Sequence, residues 1–277
     1  MFRQFTSIII TFIIHFSFFQ QKTTNFAVFL NTKKEMYRFI TFSALLMLCV
    51  FNLKAQNYDS QFAKPIVTED GKYSYYELAP IKTSVGELIF LDRNLGALSS
   101  DVNTSDSWGD LYQWGRATDG HEKRVSDTTL VISNNYEAGH GKFIVDEKKS
   151  NDWMKHSDDR LWLDEDGLTN PCPCGYRVPT SEEWRALLNL GFEVKSTSDG
   201  YFYLSIANGQ LLLPAAGLRS AYTGHFIHIG TRGFYWAANT VAKGTSSCID
   251  FNKDDLVPNI TTYGFRAFGR SVRCVKN

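Results

Sequence analysis

Two thiols sit one residue apart in the stretch NPCPCGYRVPTSEEW, where Cys172 and Cys174 flank Pro173 just ahead of a helix start. Thiols at such spacing can hold a metal, run redox chemistry or staple a fold. Cys-x-Cys is one residue tighter than the usual zinc-knuckle spacing, and no second close Cys or His pair follows it. With Pro173 stiffening the backbone between them, structural disulfides are the expected use. Other metal donors are scattered. His225 and His228 lie three apart, so a regular strand would aim them at opposite faces. Asp250, Asp254 and Asp255 could offer oxygens to calcium, but the run reads as a solvated hairpin loop. No catalytic constellation, metal or cofactor is therefore expected. Sugar rings stack on exposed aromatic faces, and the turn-rich AGLRSAYTGHF sets Tyr222 beside Arg219 and His225. With Asn239 and Asp254 these form the expected ligand-binding set.

The compartment decides how the thiols behave. Residues Phe5–Phe19 and Phe39–Leu53 are apolar runs, and the second follows Lys33, Lys34 and Arg38 and ends in a small-residue exit at Ala55. That is the pattern of a secretory signal beginning at Met36. Residues 1–35 then read as an upstream extension, 36–55 as a signal peptide, 56–69 as a linker and 70–277 as the domain. Two alternatives stay open: both runs tether the chain, although each is shorter than the roughly 20 residues of a comfortable span, or Cys49 bears a lipid anchor. Losing residues 1–55 removes six basic side chains and one acidic one, taking the formal charge from zero to about −5. Without a basic stripe, nucleic acid is not an expected partner. An exported chain meets an oxidising environment, so the even set Cys172, Cys174, Cys248 and Cys274 points to disulfides of undetermined pairing.

The elements that must position these residues are short. Strands are expected in KYSYYELAPI and GELIFLDRNLGA, then in GYFYLSI, QLLLPAAG, GHFIHIG, GFYWAANT, SSCIDF and YGFRAFGRSVRCV, separated by Gly, Ser and Asn turns. Trp108, Tyr112 and Trp114 recur at near-helical spacing and predict a short helix or helical turn. Residues 120–170 read as a long polar loop pinned by Phe143, Trp153 and Trp162. The clearest helix starts at Thr180, where Glu183 three residues on completes a capping box. Trp184, Leu187 and Leu188 form its buried stripe, and Gly191 ends it.

Taken in order, LDRNLGA (Leu91–Ala97), YQWGR (Tyr112–Arg116), CPCGYRVPTSEEW (Cys172–Trp184), LPAAGLR (Leu213–Arg219), GFYWAAN (Gly233–Asn239) and SVRCV (Ser271–Val275) resemble the Fibrobacter succinogenes major paralogous domain. The resemblance covers nearly all of Gly71–Asn277. It implies an exported α+β domain with a C-type-lectin-like fold: mostly short antiparallel strands, one or two helices and long loops. It also implies a bond between Cys172 and Cys274, which leaves Cys174 and Cys248 as a second pair on the parity of the count. The fold also houses formylglycine-generating oxidases, but those use two reactive cysteines close in sequence, which Cys248 and Cys274 are not. The calcium-binding lectin motifs are missing as well, since Val257 stands in VPNI and Ala237 follows the tryptophan in YWAAN. The expected function is a cell-surface, non-catalytic module that binds a glycan or a surface protein through loops between Gly217 and Ile260. A structural part of a surface appendage is the alternative.

Overall fold

A computed structural model describes residues 65–68, 71–148, 151–163, 169–253 and 258–277, with the side chains of 259–263 left aside. In chain order the strands are β1 (Ile66–Val67), β2 (Ser74–Tyr75), β3 (Ile81–Thr83), β4 (Gly86–Leu88), β5 (Tyr112–Gln113), β6 (Thr128–Thr129), β7 (Phe143–Ile144) and β8 (Tyr176–Arg177). Helix α1 (Ser181–Leu188) follows, then β9 (Phe192–Ser196), β10 (Phe202–Ile206), β11 (Leu211–Pro214), β12 (Leu218–Arg219), β13 (Phe226–Ile227), β14 (Arg232–Ala242), β15 (Thr245–Asn252), β16 (Asn259–Phe265), β17 (Gly269–Arg270) and β18 (Val275–Lys276). All belong to one compact unit, Lys64–Asn277. This is an α+β fold of mostly short antiparallel strands, with one α-helix among the described residues. The expected 56–69 linker contains β1, which pairs with β2.

The organising element is the antiparallel sheet β14-β15-β16. Successive side chains of a strand point to opposite faces, and here both faces are covered. On one face Trp236, Ala238 and Cys248 join Tyr112, Trp114, Trp153, Trp162 and Cys274. On the other, Tyr235, Ala237, Ile249 and Phe251 meet Trp184, Leu187 and Leu188 of α1 together with Leu204, Leu211 and Leu213. Register fixes these neighbours, because Trp236 lies opposite Cys248 and Tyr235 opposite Ile249. Gly233 is required by the same packing: a Cβ there would stand 2.2 Å from the Phe251 ring.

Helix α1 forms as its sequence dictates. Thr180 Oγ1 accepts from the Glu183 amide at 3.1 Å, and Glu183 Oε2 accepts from the Thr180 amide at 2.7 Å. Glu183 is also held by both terminal nitrogens of Arg177, at 2.8 and 2.6 Å. Gly191, at φ 98°, turns the chain out of the helix and donates to Leu188 O.

The expected helix around Trp108–Trp114 does not form. A 3-10 turn occupies Ser105–Ser107, and Tyr112–Gln113 is a strand paired with β17. Gly109 and Gly115 take positive φ on either side, and the Asp110 and Trp114 amides donate to Leu95 O and Arg266 O rather than along a helix. Near-helical spacing here reflects burial of Tyr112 and Trp114 by distant partners. The described residues of the polar stretch 120–170 are irregular apart from β6 and β7, which pair in parallel, and Phe143, Trp153 and Trp162 are all buried.

The C-terminal segment runs through the middle of the domain. Leu91 and Leu95 donate to Cys274 O and Val272 O, Trp236 and Ser271 exchange bonds with each other's strand, and β18 pairs with β8. Cys172 and Cys274 are bonded across a sequence separation of 102. Cys174 and Cys248 are not disulfide-bonded, which corrects the pairing expected from parity. Cys248 is fully enclosed on β15 beneath Trp236, where Arg270 Nη1 donates to its sulfur at 2.6 Å, while Cys174 is exposed in the turn before β8. No helix of the described residues is long and apolar enough to cross a membrane.

Replacing Cys172 and Cys274 together by serine is expected to lower the unfolding free energy by about 4 kcal/mol, read by urea denaturation, since the bond closes a long loop. Thiol labelling of the native domain should modify Cys174 at once and Cys248 only after unfolding; rapid native labelling of both would contradict the enclosure of Cys248.

Candidate ligand cleft

The chain segments 133–136 and 153–160 build an open concavity. Ser133 and Met154 form a parallel bridge, with the Ser133 amide on Trp153 O at 3.1 Å and the Lys155 amide on Ser133 O at 2.8 Å. Trp153 anchors this pair inside, its indole donating to Trp114 O at 2.7 Å. A turn follows because the buried Asp152 carboxylate accepts from the Met154 amide at 3.1 Å and from Ser157 Oγ at 2.7 Å. The result is an open cleft of about 490 Å³ lined by Asn134, Tyr136, His156, Asp158, Asp159 and Arg160 among others, within the size range of small-ligand sites.

One buried residue positions the acidic wall. Arg266 is fully enclosed over the Trp114 ring, 4.3 Å from its centroid. Its guanidinium donates to Ser246 Oγ at 3.1 Å, Asp158 O at 3.3 Å and Asp159 Oδ1 at 2.5 Å. Asp158 is turned the other way, chelating Arg160 at 3.0 and 2.8 Å. Those bonds from Arg160, side chain first and backbone amide second, pull the Asp158 carboxyl down to about 2. Burial instead pushes the Asp152 carboxyl up, against the bonds from Ser157 and Met154.

The wall is thus nearly neutral, with Asp158 and Asp159 opposed by Arg160 and Arg266. It also leaves polar groups available. The Asp159 side chain is 60% exposed and that of Arg160 77%. Asn134 and His156 are exposed and have no hydrogen bond within the described structure. Tyr136, which packs against the core, lines the same cleft.

The residues expected from sequence lie elsewhere. Arg219 is 5% exposed, and its guanidinium donates inward to Gly224 O, Ser126 Oγ and Ser126 O at 2.9, 2.6 and 2.8 Å while stacking on Phe143. It ties two loops together and does not face solvent. Tyr222 is half-buried edge-on to Phe268, and burial raises its hydroxyl pKa. His225 is exposed, and β13 ends before His228, which takes φ 61°. Asn239 Oδ1 accepts from the Ser181 amide at 2.6 Å, so it serves the N-terminus of α1. None of these four lines the cleft, and Asp254 lies outside the described residues. Asp250 is committed to Arg232, which grips it with two nitrogens. The cleft residues fall in the stretch that sequence patterning leaves as loop. Its one readable signal is HSDDR, a dense charge run that begins three residues after the buried Trp153.

A second cluster has the composition of a metal site. Ligand atoms of Asp119, His121 and Glu122 lie within 4.8 Å of one another, yet they are already engaged. His121 Nε2 accepts from the Gln113 amide at 3.1 Å, which places the ring proton on Nδ1, facing Asp119 Oδ1 at 2.7 Å. Arg116 Nε holds the other Asp119 oxygen at 2.8 Å, and Glu122 Oε2 accepts from the Gly120 amide at 2.9 Å. An adjacent buried guanidinium opposes a cation electrostatically, so the cluster is a hydrogen-bonded hub that fixes the turn at 119–123.

Burial holds the His121 ring below its usual 6.5, more strongly than the bond to Asp119 raises it. The folded ring stays neutral while the unfolded one gains a proton, so this stability is present above pH 6.5 and lost as pH falls below it. His121→Gln should flatten the decline in unfolding free energy between pH 7 and 5 by up to about 1.4 kcal/mol per pH unit. An unchanged pH slope in the variant would show that His121 takes up its proton equally in the folded and unfolded chains.

Compared with protein-family models, curated proteins and solved structures, the chain matches none.

Proposed function

We propose that this chain is an exported, non-catalytic binding module on a C-type-lectin-like frame of the Fibrobacter succinogenes major paralogous type, and that it takes a glycan in the cleft between residues 134–136 and 154–160. The observation behind this reading is the cleft wall itself. Saccharide hydroxyls donate and accept at once, and they suit a surface where an amide, an imidazole, a carboxylate and a guanidinium stand together with little net charge. A phosphate or nucleic acid would call for unopposed cations, and Arg160 is neutralised by Asp158. A purely apolar ligand would leave these polar groups without water or partner. The binding loops therefore differ from the 217–260 set, while the kind of function stays the same.

The test is calorimetry against a panel of neutral and acidic oligosaccharides, with a peptide library as the counterpart for a protein ligand. Asn134→Ala and His156→Ala should each weaken saccharide binding about tenfold, the equivalent of about 1.4 kcal/mol, and leave the melting temperature unchanged. Tyr222→Ala should leave affinity intact. Peptide binding without saccharide binding, or affinity that follows Tyr222 rather than Asn134, would contradict the reading.

A further inference from the structure

On the far side of the 119–123 turn, a lysine, an aspartate and a glutamate converge in a largely enclosed site. Lys123 Nζ stands 2.6 Å from Asp110 Oδ2 and 3.5 Å from Glu122 Oε1. The side chain of Glu122 is wholly buried, that of Asp110 is 8% exposed and that of Lys123 29%. Glu122 Oε1 accepts no hydrogen bond. A buried carboxylate oxygen without a donor is costly, and here it faces an ammonium group already bound to another acid.

The backbone holds the three in place. The Asp110 amide donates to Leu95 O at 2.9 Å, and the Leu111 amide to Glu122 O at 3.0 Å, so residues 110 and 122–123 lie side by side. Gly96, at φ 75°, closes over the carboxylate so tightly that a Cβ would come within 1.9 Å of Asp110 Oδ2. Aromatic rings wall the site. Tyr73 accepts from Lys123 Nζ at 3.1 Å and lays its ring 4.7 Å from it, and Tyr75 and Tyr112 are buried nearby. Proximity of this kind replaces a bimolecular encounter with a fixed approach.

We propose that Lys123 and Asp110 join in an intramolecular isopeptide bond, formed by the folded chain itself with Glu122 as proton relay. Burial and the nearby Glu122 charge push the Asp110 carboxyl toward its protonated form, which Lys123 opposes. Lys123 is itself held charged, since its bonds to Asp110 and Tyr73 outweigh its desolvation. The proton that blocks the amine therefore needs an acceptor, and Glu122 Oε1 is within reach. Once neutral, Nζ attacks Asp110 Cγ. Glu122 returns the proton to the carboxyl, the C–N bond forms, and one C–O bond breaks. A carboxylate oxygen leaves as water with two of the three ammonium protons, the third stays on the amide nitrogen, and Glu122 ends as it began. No oxidant, metal or cofactor takes part.

The proposal is independent of what the cleft binds. Intact mass of the folded full chain, compared with Lys123→Arg and Glu122→Gln after allowing for each substitution, should show the wild type lighter by one water and both variants at full mass. Tryptic mapping should find the peptide containing Asp110 joined to the one containing Lys123. Wild-type chain at full mass after prolonged incubation, with the two peptides separate, would overturn the bond whether or not the variants fold. Linkage in Glu122→Gln as fast as in wild type would overturn the relay.

Discussion

Backbone carbonyls in loops and at irregular points of the strands are satisfied here by guanidinium and indole groups from the interior, and the rest of the structure depends on that. Most strands are two to five residues long, so much of the chain crosses the interior as loop, where an unpaired carbonyl is expensive. Arg116 donates to His140 O and Lys142 O, Arg273 to Leu91 O and Leu212 O, Arg124 to Gly109 O and Ala216 O, and Arg219 to Gly224 O. Tryptophans act likewise. Trp114, Trp153, Trp162, Trp184 and Trp236 donate to Ala237 O, Trp114 O, Thr169 O, Trp236 O and Tyr112 O. A planar guanidinium with five donors can serve two or three loops at once, which a lysine cannot.

This arrangement explains how the cleft is both irregular and fixed. Arg266 reaches from the central sheet to the Asp158–Asp159 wall, so a surface feature inherits the rigidity of the core. The same economy of side chains puts charge inside the molecule. Burial lowers the Arg273 pKa to about 10, yet the group remains a cation at neutral pH and needs acceptors, which Asn94 Oδ1 and two carbonyls provide. Removing a buried charge's partners, or replacing its fork by a point charge, is more damaging than its modest net contribution suggests.

What could be read from the sequence divides along the same line. Helix α1 was legible residue by residue, because a capping box and a buried stripe are local signals. Strands β10, β11, β13, β14 and β15 were legible because turn residues bracket them, whereas β9, β12 and the start of β16 fall outside the expected runs and YGFRAFGRSVRCV is divided among β16, β17 and β18. The disulfide between Cys172 and Cys274 followed from a resemblance to a family motif, whereas parity failed for Cys174 and Cys248, since counting says nothing of depth. Arg219 in an aromatic, turn-rich segment looked like a ligand contact; its inward course depends on Ser126, 93 residues away. The cleft was illegible because Asn134 and Arg160 meet only through a bridge between two loops. Trp108–Trp114 misled for the converse reason: a helical period arose from three separate tertiary contacts.

The most direct test of the dependence on buried guanidinium groups is Arg273→Lys, which keeps the charge and loses the fork. Equilibrium urea unfolding should show a loss of about 3 kcal/mol or more, with amide exchange accelerated where the segments around Leu91, Asn94 and Leu212 meet. A variant within about 0.5 kcal/mol of wild type, with those amides still protected, would contradict the claim that directional donors from the core hold the loops in place.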